Sequence, residues 1–425
     1  MISRAFTQAK SNKLLKQNII FFIGTMAAAA LNYLFYPVVG RILPPNQFGE
    51  VQVVIALSVQ AASIFSIVRL IVVREVANAD EATAIALTHR VQSYMRQISV
   101  ILAGIGLLAA PLLAKSLQYR SVTPMILLVA LVVLAVIRSP IDGYLRGRQY
   151  FSQSALADFA NAGFKLILAA LFALIGFGVK GVLIGVIVAS LASYLFEVFA
   201  AYRAGFSRTH SASKERLTVP VIKFALKSLA SVGLASMSIT ILVGMDTVLA
   251  KRYFSPDTAG LYSGISIISN ILFYATISVT GVLFSSVKRK QSEAANRRIL
   301  YYSAGLVTLA GVVGLIIFAA VPNLIIKILL GERYLPLAHV LPYAGAAMLA
   351  LSLTNLLMMY CIALDTKGVG VVSFAGTLVV VICVLISHSS IEKLAVSFCI
   401  GNLLMLIIAT VWMVTKHSRP QAKPA

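Results

Sequence analysis

The sequence predicts an all-α, polytopic membrane protein with about twelve transmembrane helices in two similar six-helix lobes around a central cavity. Hydrophobic residues make up 59% of the chain and charged residues 12%, against roughly 45–50% and 25% in soluble domains. The apolar residues recur in stretches of about twenty, the length that spans a hydrocarbon layer of about 30 Å. An internal repeat, described below, predicts the two lobes.

Six apolar stretches in each half predict the individual helices. In the first half they cover 18–39, 51–72, 98–114, 122–141, 154–176 and 181–202. In the second half they cover 224–249, 260–287, 299–321, 337–364, 369–388 and 394–415. A polar, basic connector, RAGFSRTHSASKERL, separates the halves, so the predicted lobes are 1–210 and 211–425. The first stretch is longer than a cleavable signal segment, and similar stretches follow it, so it is predicted as a membrane helix.

The distribution of basic residues predicts the orientation of the chain. With the N-terminus inside, most of the 36 lysine and arginine residues lie in inside segments, as cytoplasmic loops require. Six helices return the chain to its starting side, so both halves share one orientation and both termini are predicted in the cytoplasm. The net charge of +22 then reflects loops and anionic lipid headgroups, and nucleic acid is not expected as a partner.

The repeat is clearest in the segment after the first helix of each half. GRILPPNQFGEV and KRYFSPDTAGLY align without a gap. The aligned pairs are Arg41 with Arg252, Leu43 with Phe254, Pro45 with Pro256, Asn46 with Asp257, Gly49 with Gly260 and Val51 with Tyr262. Proline followed by Asn or Asp favours a turn, and glycine at the next helix start permits close packing. The motif therefore indicates duplication, with parallel halves related by an axis along the membrane normal.

Sequence signatures of an enzyme are missing. The chain has no Walker A loop, no HExxH and no acidic cluster with metal-ligand spacing. Each loop is shorter than about 25 residues, too short for a soluble domain of the usual 50-residue minimum. We therefore expect no catalytic residues, no metal and no cofactor. The candidates for function are polar groups at membrane depth, which are costly unless they face a cavity or a partner.

Lys165 is the deepest predicted charge. It lies about eleven residues, or roughly 16 Å, from either end of its helix, beyond the reach of its own side chain. Asp158, Asn161 and Lys165 follow one another by three and four residues and therefore share one stripe. The stripe is either a structural polar network or a cationic lining for an anionic substrate, and the second interpretation is favoured because intramembrane charges are usually functional. Snorkelling explains three charges nearer the helix ends: Arg69, Glu197 and Asp246.

Two further polar lines lie at helical spacing. The first helix carries Asn18, Thr25, Asn32 and Tyr36, and the eighth carries Tyr262, Ser266, Asn270 and Tyr274. Such residues either hydrogen-bond across helix interfaces or line a wet central path. Thr25, Asn32, Asn270 and Tyr274 are therefore candidate residues of a substrate path.

The N-terminal region carries a family resemblance. KQNIIFFIGTMAAAALNYLFYPVVGRILPPNQFGEVQVV, followed by the basic exit VREVANADEA, resembles bacterial polysaccharide flippases of the multidrug, oligosaccharidyl-lipid and polysaccharide exporter superfamily. The resemblance implies export of an undecaprenyl-pyrophosphate-linked oligosaccharide across the bacterial cytoplasmic membrane by alternating access. It also implies that cationic residues in the cavity hold the pyrophosphate, a role for Lys165, Arg69 and Arg74 by their depth. The implied partners are the anionic lipid-linked glycan, membrane lipids and other polysaccharide-assembly membrane proteins.

Two alternatives remain open. A cation-coupled drug or metabolite antiporter of the same superfamily would share the fold and would need a membrane-embedded acid, for which Asp158 is the main candidate. The lysine as the deepest charge favours an anionic cargo instead. A membrane glycosyltransferase or polymerase would need a sizeable outside loop, and the longest one here is PNLIIKILLGERYLPLAH.

Overall fold

The computed structural model describes residues 24–206, 219–288 and 291–417. Within these ranges the chain forms helices and short connections, and no residue lies in a β-strand. Asn18 and the predicted lobe boundary at 210/211 lie outside the described residues, so both stay predictions.

Fourteen α-helices and one 3₁₀ helix follow one another in the described ranges. The first six are α1 (24–42), α2 (Pro45–Asn78), α3 (Glu81–Ser116), α4 (Thr123–Gly147), α5 (Phe151–Leu174) and α6 (Gly178–Arg203). The next are α7 (Val219–Leu242), α8 (Met245–Tyr253), α9 (Pro256–Ser286), α10 (Glu293–Ala320) and α11 (Pro322–Leu329). The 3₁₀ helix (Glu332–Val340) precedes α12 (Leu341–Ala363), α13 (Val369–Ile386) and α14 (Ile391–His417).

Most of these helices are long and apolar enough to cross a membrane. In the described ranges ten qualify, or eleven if α7 and α8 form one bent span. Along α3, four apolar side chains at helical spacing are at least 60% exposed: Ile101, Ile105, Leu108 and Leu112. Such a stripe requires an apolar solvent. The all-α, polytopic class is therefore confirmed, while the count of twelve and the two-lobe parallel repeat stay predictions.

Several helices extend well past their predicted ends. α3 begins at Glu81 instead of near Ile98, and α4 continues to Gly147 instead of ending near Ile141. Asp80 caps the start of α3 by accepting a hydrogen bond from the Thr83 backbone N–H at 3.2 Å. Backbone hydrogen bonding continues through polar residues, whereas an apolar stretch marks only the length in hydrocarbon. These extensions add charged residues to the helices.

The predicted helix 224–249 is divided in two. α7 ends at Leu242 and α8 begins at Met245, and the two axes differ by 47°. Gly244 between them has φ of 99°, a left-handed conformation that glycine adopts without steric cost. The break therefore follows from one glycine that no apolar pattern reveals.

The chain forms two compact units. The first contains Met1–Pro44 and Ala61–Leu226, and the second contains Pro45–Gln60 and Lys227–Ala425. The helix α2 thus contributes its first half to the second unit and its second half to the first.

The two repeated turns have the same local form. Pro44 before α2 has φ and ψ of −63° and 152°, and Ser255 before α9 has −58° and 152°. Within the second unit the starts of α2 and α9 also contact each other. A Cβ atom on Gly260 would lie 2.0 Å from the Pro45 carbonyl oxygen, and one on Gly49 would lie 2.7 Å from the Gly260 Cα. The close packing predicted from these glycines is confirmed.

Gly260→Ala is expected to destabilise the protein by about 1–3 kcal/mol, because the added methyl group meets backbone atoms that cannot move independently. The matched control is Gly305→Ala in α10, where a Cβ atom meets nothing within 4 Å and no loss is expected. Unfolding of both variants in the same detergent measures the difference. Equal stability of the two variants would contradict the close contact.

Candidate functional site

Six charged side chains of the first unit form a continuous series of ion pairs in which basic and acidic groups alternate. In order they are Arg69, Asp142, Arg146, Asp158, Arg138 and Glu197. We call this series the charge chain. Its members come from α2, α4, α5 and α6, so it joins four helices of one unit.

The buried end of the charge chain is the pair of Arg138 and Glu197. The Arg138 Nε atom donates to Glu197 Oε2 at 2.9 Å, and its Nη2 atom donates to Glu197 Oε1 at 2.5 Å. The Glu197 side chain has no exposed area, and Arg138 also donates to Asp158 through Nη2 at 2.9 Å. A buried carboxylate is tolerable only with such bidentate pairing. Snorkelling of Glu197, predicted from the sequence, is therefore wrong.

The other end of the charge chain is more exposed. Arg146 donates to Asp158 Oδ2 at 2.9 Å and to Asp142 Oδ1 at 2.6 Å. Arg69 approaches Asp142 Oδ2 at 3.4 Å, and its side chain is 41% exposed. The charge chain therefore runs from a fully buried carboxylate to an accessible guanidinium.

Helix periodicity and glycine contacts bring these groups together. Arg138, Asp142 and Arg146 recur every four residues, so they share one face of α4. Gly143 and Gly147 lie where α4 meets α2, and Cβ atoms there would approach backbone oxygens of α2 at 3.1 and 3.0 Å. Small residues thus let α4 approach α2 closely enough for an ion pair to Arg69.

A cavity of about 310 Å³ lies beside the charge chain. Five members of the chain line it, namely Arg69, Arg138, Asp142, Arg146 and Asp158. The remaining lining is apolar or hydroxyl-bearing, and it comprises Ala62, Phe65, Ser66, Leu131, Leu134, Ala135, Ser139 and Ser190. Three guanidinium groups on one cavity can bind a multivalent oxyanion, because their planar donors match phosphate oxygens.

Lys165 forms a second polar site on α5, at a different depth. It lies fourteen residues after Phe151 and nine before Leu174, or about 21 and 14 Å along the helix. Its ammonium group donates to the Asn32 side-chain oxygen of α1. The Phe35 ring centre lies 4.7 Å from the ammonium nitrogen. Lys165 thus lies far from both ends of its helix, as predicted, and its neighbours are a neutral amide and aromatic rings.

The predicted stripe on α5 divides between these two sites. Asp158 belongs to the charge chain, whereas Lys165 contacts α1, about 10 Å further along the axis. Asn161 lies between them, and its buried side-chain oxygen has no hydrogen-bond partner within the described residues. The stripe therefore serves two neighbouring sites of the first unit.

The other predicted path residues lie apart from these sites. Arg74 is exposed and does not line the cavity, and Thr25 on α1 is exposed. In the second unit, Asn270 is buried with an unpartnered side-chain oxygen among the described residues, and Tyr274 is 49% exposed. Their roles in a substrate path stay predictions.

Asp246 differs from the expectation that it snorkels. Its side chain is fully buried in the second unit and accepts a hydrogen bond from the Tyr262 hydroxyl at 3.2 Å. Asp246 begins the short helix α8, which follows the Gly244 break. The break turns this carboxylate into the protein, so snorkelling is wrong here too.

Sequence reasoning missed four members of the charge chain as site residues. From the sequence, Arg138 and Arg146 count only among the basic residues of inside segments, Glu197 is predicted to snorkel, and Asp142 carries no prediction. The available signal was the alternation of Arg138, Asp142 and Arg146 at four-residue spacing across the predicted end of the helix. Such a stripe predicts a helix that continues with a charged face.

Comparison with known proteins agrees with this architecture. A family model described as polysaccharide biosynthesis protein matches residues 14–284. No curated protein matches the chain. An inward-facing multidrug resistance MATE family transporter of the MOP superfamily has a TM-score of 0.73 at 15% identity, covering 91% of this chain and 94% of that chain.

Two further solved structures show the same similarity. The lipid II flippase MurJ in an inward closed conformation has a TM-score of 0.71 at 13% identity, over 95% of this chain and 88% of that chain. An outward-facing MATE family transporter of the MOP superfamily has a TM-score of 0.61 at 17% identity, over 95% of both chains. At these identities the likeness shows a shared fold. This multi-pass membrane protein has the fold of those transporters, and, because the family model covers more than half of it, the chain belongs to the polysaccharide biosynthesis protein family.

Proposed function

We propose that this protein transports an undecaprenyl-diphosphate-linked oligosaccharide across the bacterial cytoplasmic membrane by alternating access. The observation that carries the proposal is the cavity with three arginines in a membrane-spanning helical unit. Guanidinium groups at such a location are costly, and they are retained where a charged cargo passes. Membership of a polysaccharide biosynthesis family supports a glycan cargo.

The cargo sets three physical requirements. Its diphosphate needs positive charge, its sugars need hydroxyl and amide groups, and its polyprenyl tail needs contact with lipid. Arg69, Arg138 and Arg146 meet the first requirement. Lys165 with Asn32, further along α5, offers a second position for the anionic headgroup during passage. The partners in this proposal are the lipid-linked glycan, membrane lipids and other polysaccharide-assembly proteins. The proposal also places both termini in the cytoplasm.

Asp142, Asp158 and Glu197 favour a second candidate function, a cation-coupled drug antiporter. Asp142 and Asp158 line the same cavity, Glu197 pairs with Arg138 beside it, and the fold is shared with multidrug transporters. The cavity lining, however, holds three arginines against the carboxylates of Asp142 and Asp158, so its formal charge is positive and disfavours a cationic drug. An anionic cargo is therefore favoured, and among the described residues no structural observation favours a membrane glycosyltransferase.

Transport by the purified protein in vesicles tests the proposal. Vesicles loaded with a fluorescently labelled lipid-linked oligosaccharide are expected to move it between leaflets, and cationic dyes are expected to stay in place. The control is the same vesicle preparation without protein. Movement of dyes together with no movement of the lipid-linked glycan would overturn the proposed function and favour the antiporter.

The same proposal predicts a defined defect in cells. Deletion of the gene is expected to leave complete lipid-linked repeat units on the cytoplasmic leaflet, because synthesis continues while export stops. Analysis of lipid-linked oligosaccharides measures the accumulation. Incomplete or unpolymerised units on the outer leaflet would instead indicate an enzyme of glycan assembly.

A further inference from the structure

Asp158 is the carboxylate that bridges two arginines of the charge chain. Its Oδ1 atom accepts from Arg138 and its Oδ2 atom from Arg146, each at 2.9 Å. The two guanidinium groups, two turns apart on α4, thus share one carboxylate on α5. An oxyanion held by two guanidinium groups through separate oxygens is also the arrangement in which arginines bind phosphate.

A ligand could not displace the three acids of the charge chain equally easily. Glu197 has no exposed area and accepts hydrogen bonds from the Arg138 Nε and Nη2 atoms. Asp142 is 7% exposed and is also held by the Ser154 hydroxyl at 3.2 Å. Asp158 is 29% exposed and, within the described ranges, is bonded to the two arginines only. Asp158 is therefore the acid that a ligand in the cavity reaches most easily.

Both arginines keep a partner when Asp158 is displaced. Arg138 retains its bidentate pair with Glu197, and Arg146 retains Asp142 at 2.6 Å. Neither guanidinium is then left without a counter-charge, a state that is strongly unfavourable in a buried site. The exchange of Asp158 for a phosphate group is thus an exchange of one bridging oxyanion for another, beside a cavity of about 310 Å³.

We propose that Asp158 is a displaceable counter-ion, which competes with the diphosphate of the cargo for Arg138 and Arg146. This inference rests on the proposed function, since it assumes a diphosphate-bearing cargo. In the empty site Asp158 bridges the two arginines, and in the loaded site the diphosphate takes its place. Return of Asp158 then drives release, because the affinity for cargo is reduced by the free energy of the ion pairs that binding breaks. Asp158 thereby keeps the affinity low enough for turnover.

The variant Asp158→Asn tests whether the Asp158 carboxylate competes with diphosphate for the two arginines. The amide keeps the shape of the side chain but loses the charge, so the variant is expected to bind inorganic diphosphate at least about tenfold more tightly than the native protein. A tenfold change corresponds to about 1.4 kcal/mol. Isothermal titration of the full-length protein in detergent measures the dissociation constant. In vesicles, the cargo concentration for half-maximal transport is expected to fall together with the maximal rate, because release becomes slower.

Three further variants control the experiment. Asp257→Asn removes the same charge at an exposed position of α9, and its affinity for diphosphate is expected to change less than about twofold. Asp158→Glu restores the carboxylate and is expected to restore an affinity within about threefold of the native value. Arg146→Ala is expected to weaken diphosphate binding at least about tenfold, since it removes one of the two competed groups.

The outcomes distinguish the inference from the function beneath it. If the native protein binds diphosphate and Asp158→Asn binds it equally or more weakly, the competition is overturned. The proposed function is unaffected by that result. If the native protein neither binds diphosphate nor transports the lipid-linked glycan, both the competition and the proposed function are overturned. If Asp158→Asn has a melting temperature far below that of the native protein, the titration of Asp158→Glu with diphosphate tests the inference instead. A dissociation constant that differs more than tenfold from the native value would contradict it.

Discussion

Arg138→Ala is expected to lower the free energy of unfolding by about 3–5 kcal/mol. The substitution leaves the fully buried Glu197 carboxylate without its bidentate partner, and an unpaired buried charge carries a cost of this size. It also removes one of the two guanidinium groups that Asp158 bridges. Reversible unfolding in mixed detergent, followed by circular dichroism, measures the change, and transport is expected to be lost as well.

An exposed arginine in an ion pair serves as the control that separates the effect of burial from the effect of losing a charge. Arg297 pairs with Glu293 four residues earlier on α10 at 2.7 Å, and both side chains are about half exposed. Arg297→Ala is therefore expected to cost less than about 1 kcal/mol. Replacing Arg138 and Glu197 together by methionine is expected to recover much of the stability lost by Arg138→Ala, because no orphan charge remains on Glu197. A loss below about 1 kcal/mol for Arg138→Ala would contradict the buried pair.

Lys165→Ala is expected to abolish transport while the protein stays folded and inserted. The ammonium group is paired with the neutral side chain of Asn32, and no carboxylate pairs with it within the described residues. Its removal therefore leaves no uncompensated charge, in contrast to Arg138→Ala. Asn32 keeps a hydrogen bond to the Ala28 carbonyl at 3.0 Å. The proposed function needs the positive charge of Lys165 for the anionic headgroup, so only transport is affected.

Lys165→Arg is expected to retain part of the transport activity, because it preserves the charge with a different shape. The matched control is Lys180→Ala, which removes an exposed lysine of α6 and is expected to transport at the native rate. Thermal unfolding and transport are measured on the same preparations. Normal surface polysaccharide in cells that produce only Lys165→Ala would show that Lys165 is not a headgroup site.

The sequence by itself determined the class of the protein and placed Lys165 far from both ends of a helix. Apolar stretches of membrane length predict polytopic helices because the bilayer imposes one requirement, internal hydrogen bonding over about 30 Å, on every span. The position of Lys165 follows from counting residues along a helix, since the rise per residue is fixed. The close packing at Gly49 and Gly260 also followed from the sequence, because only glycine lets two backbones approach to such distances.

Only the tertiary structure decided which charges act together. Glu197 and Arg138 are far apart in the sequence, and their pairing depends on how α4 and α6 pack. The same packing, made possible by glycines on α4, brings Arg69 to Asp142. Hydropathy reports how apolar each helix is, whereas ion pairing between helices depends on the rotation and depth of each helix against its neighbours. For that reason Lys165 could be predicted, while the charge chain and its cavity required the fold.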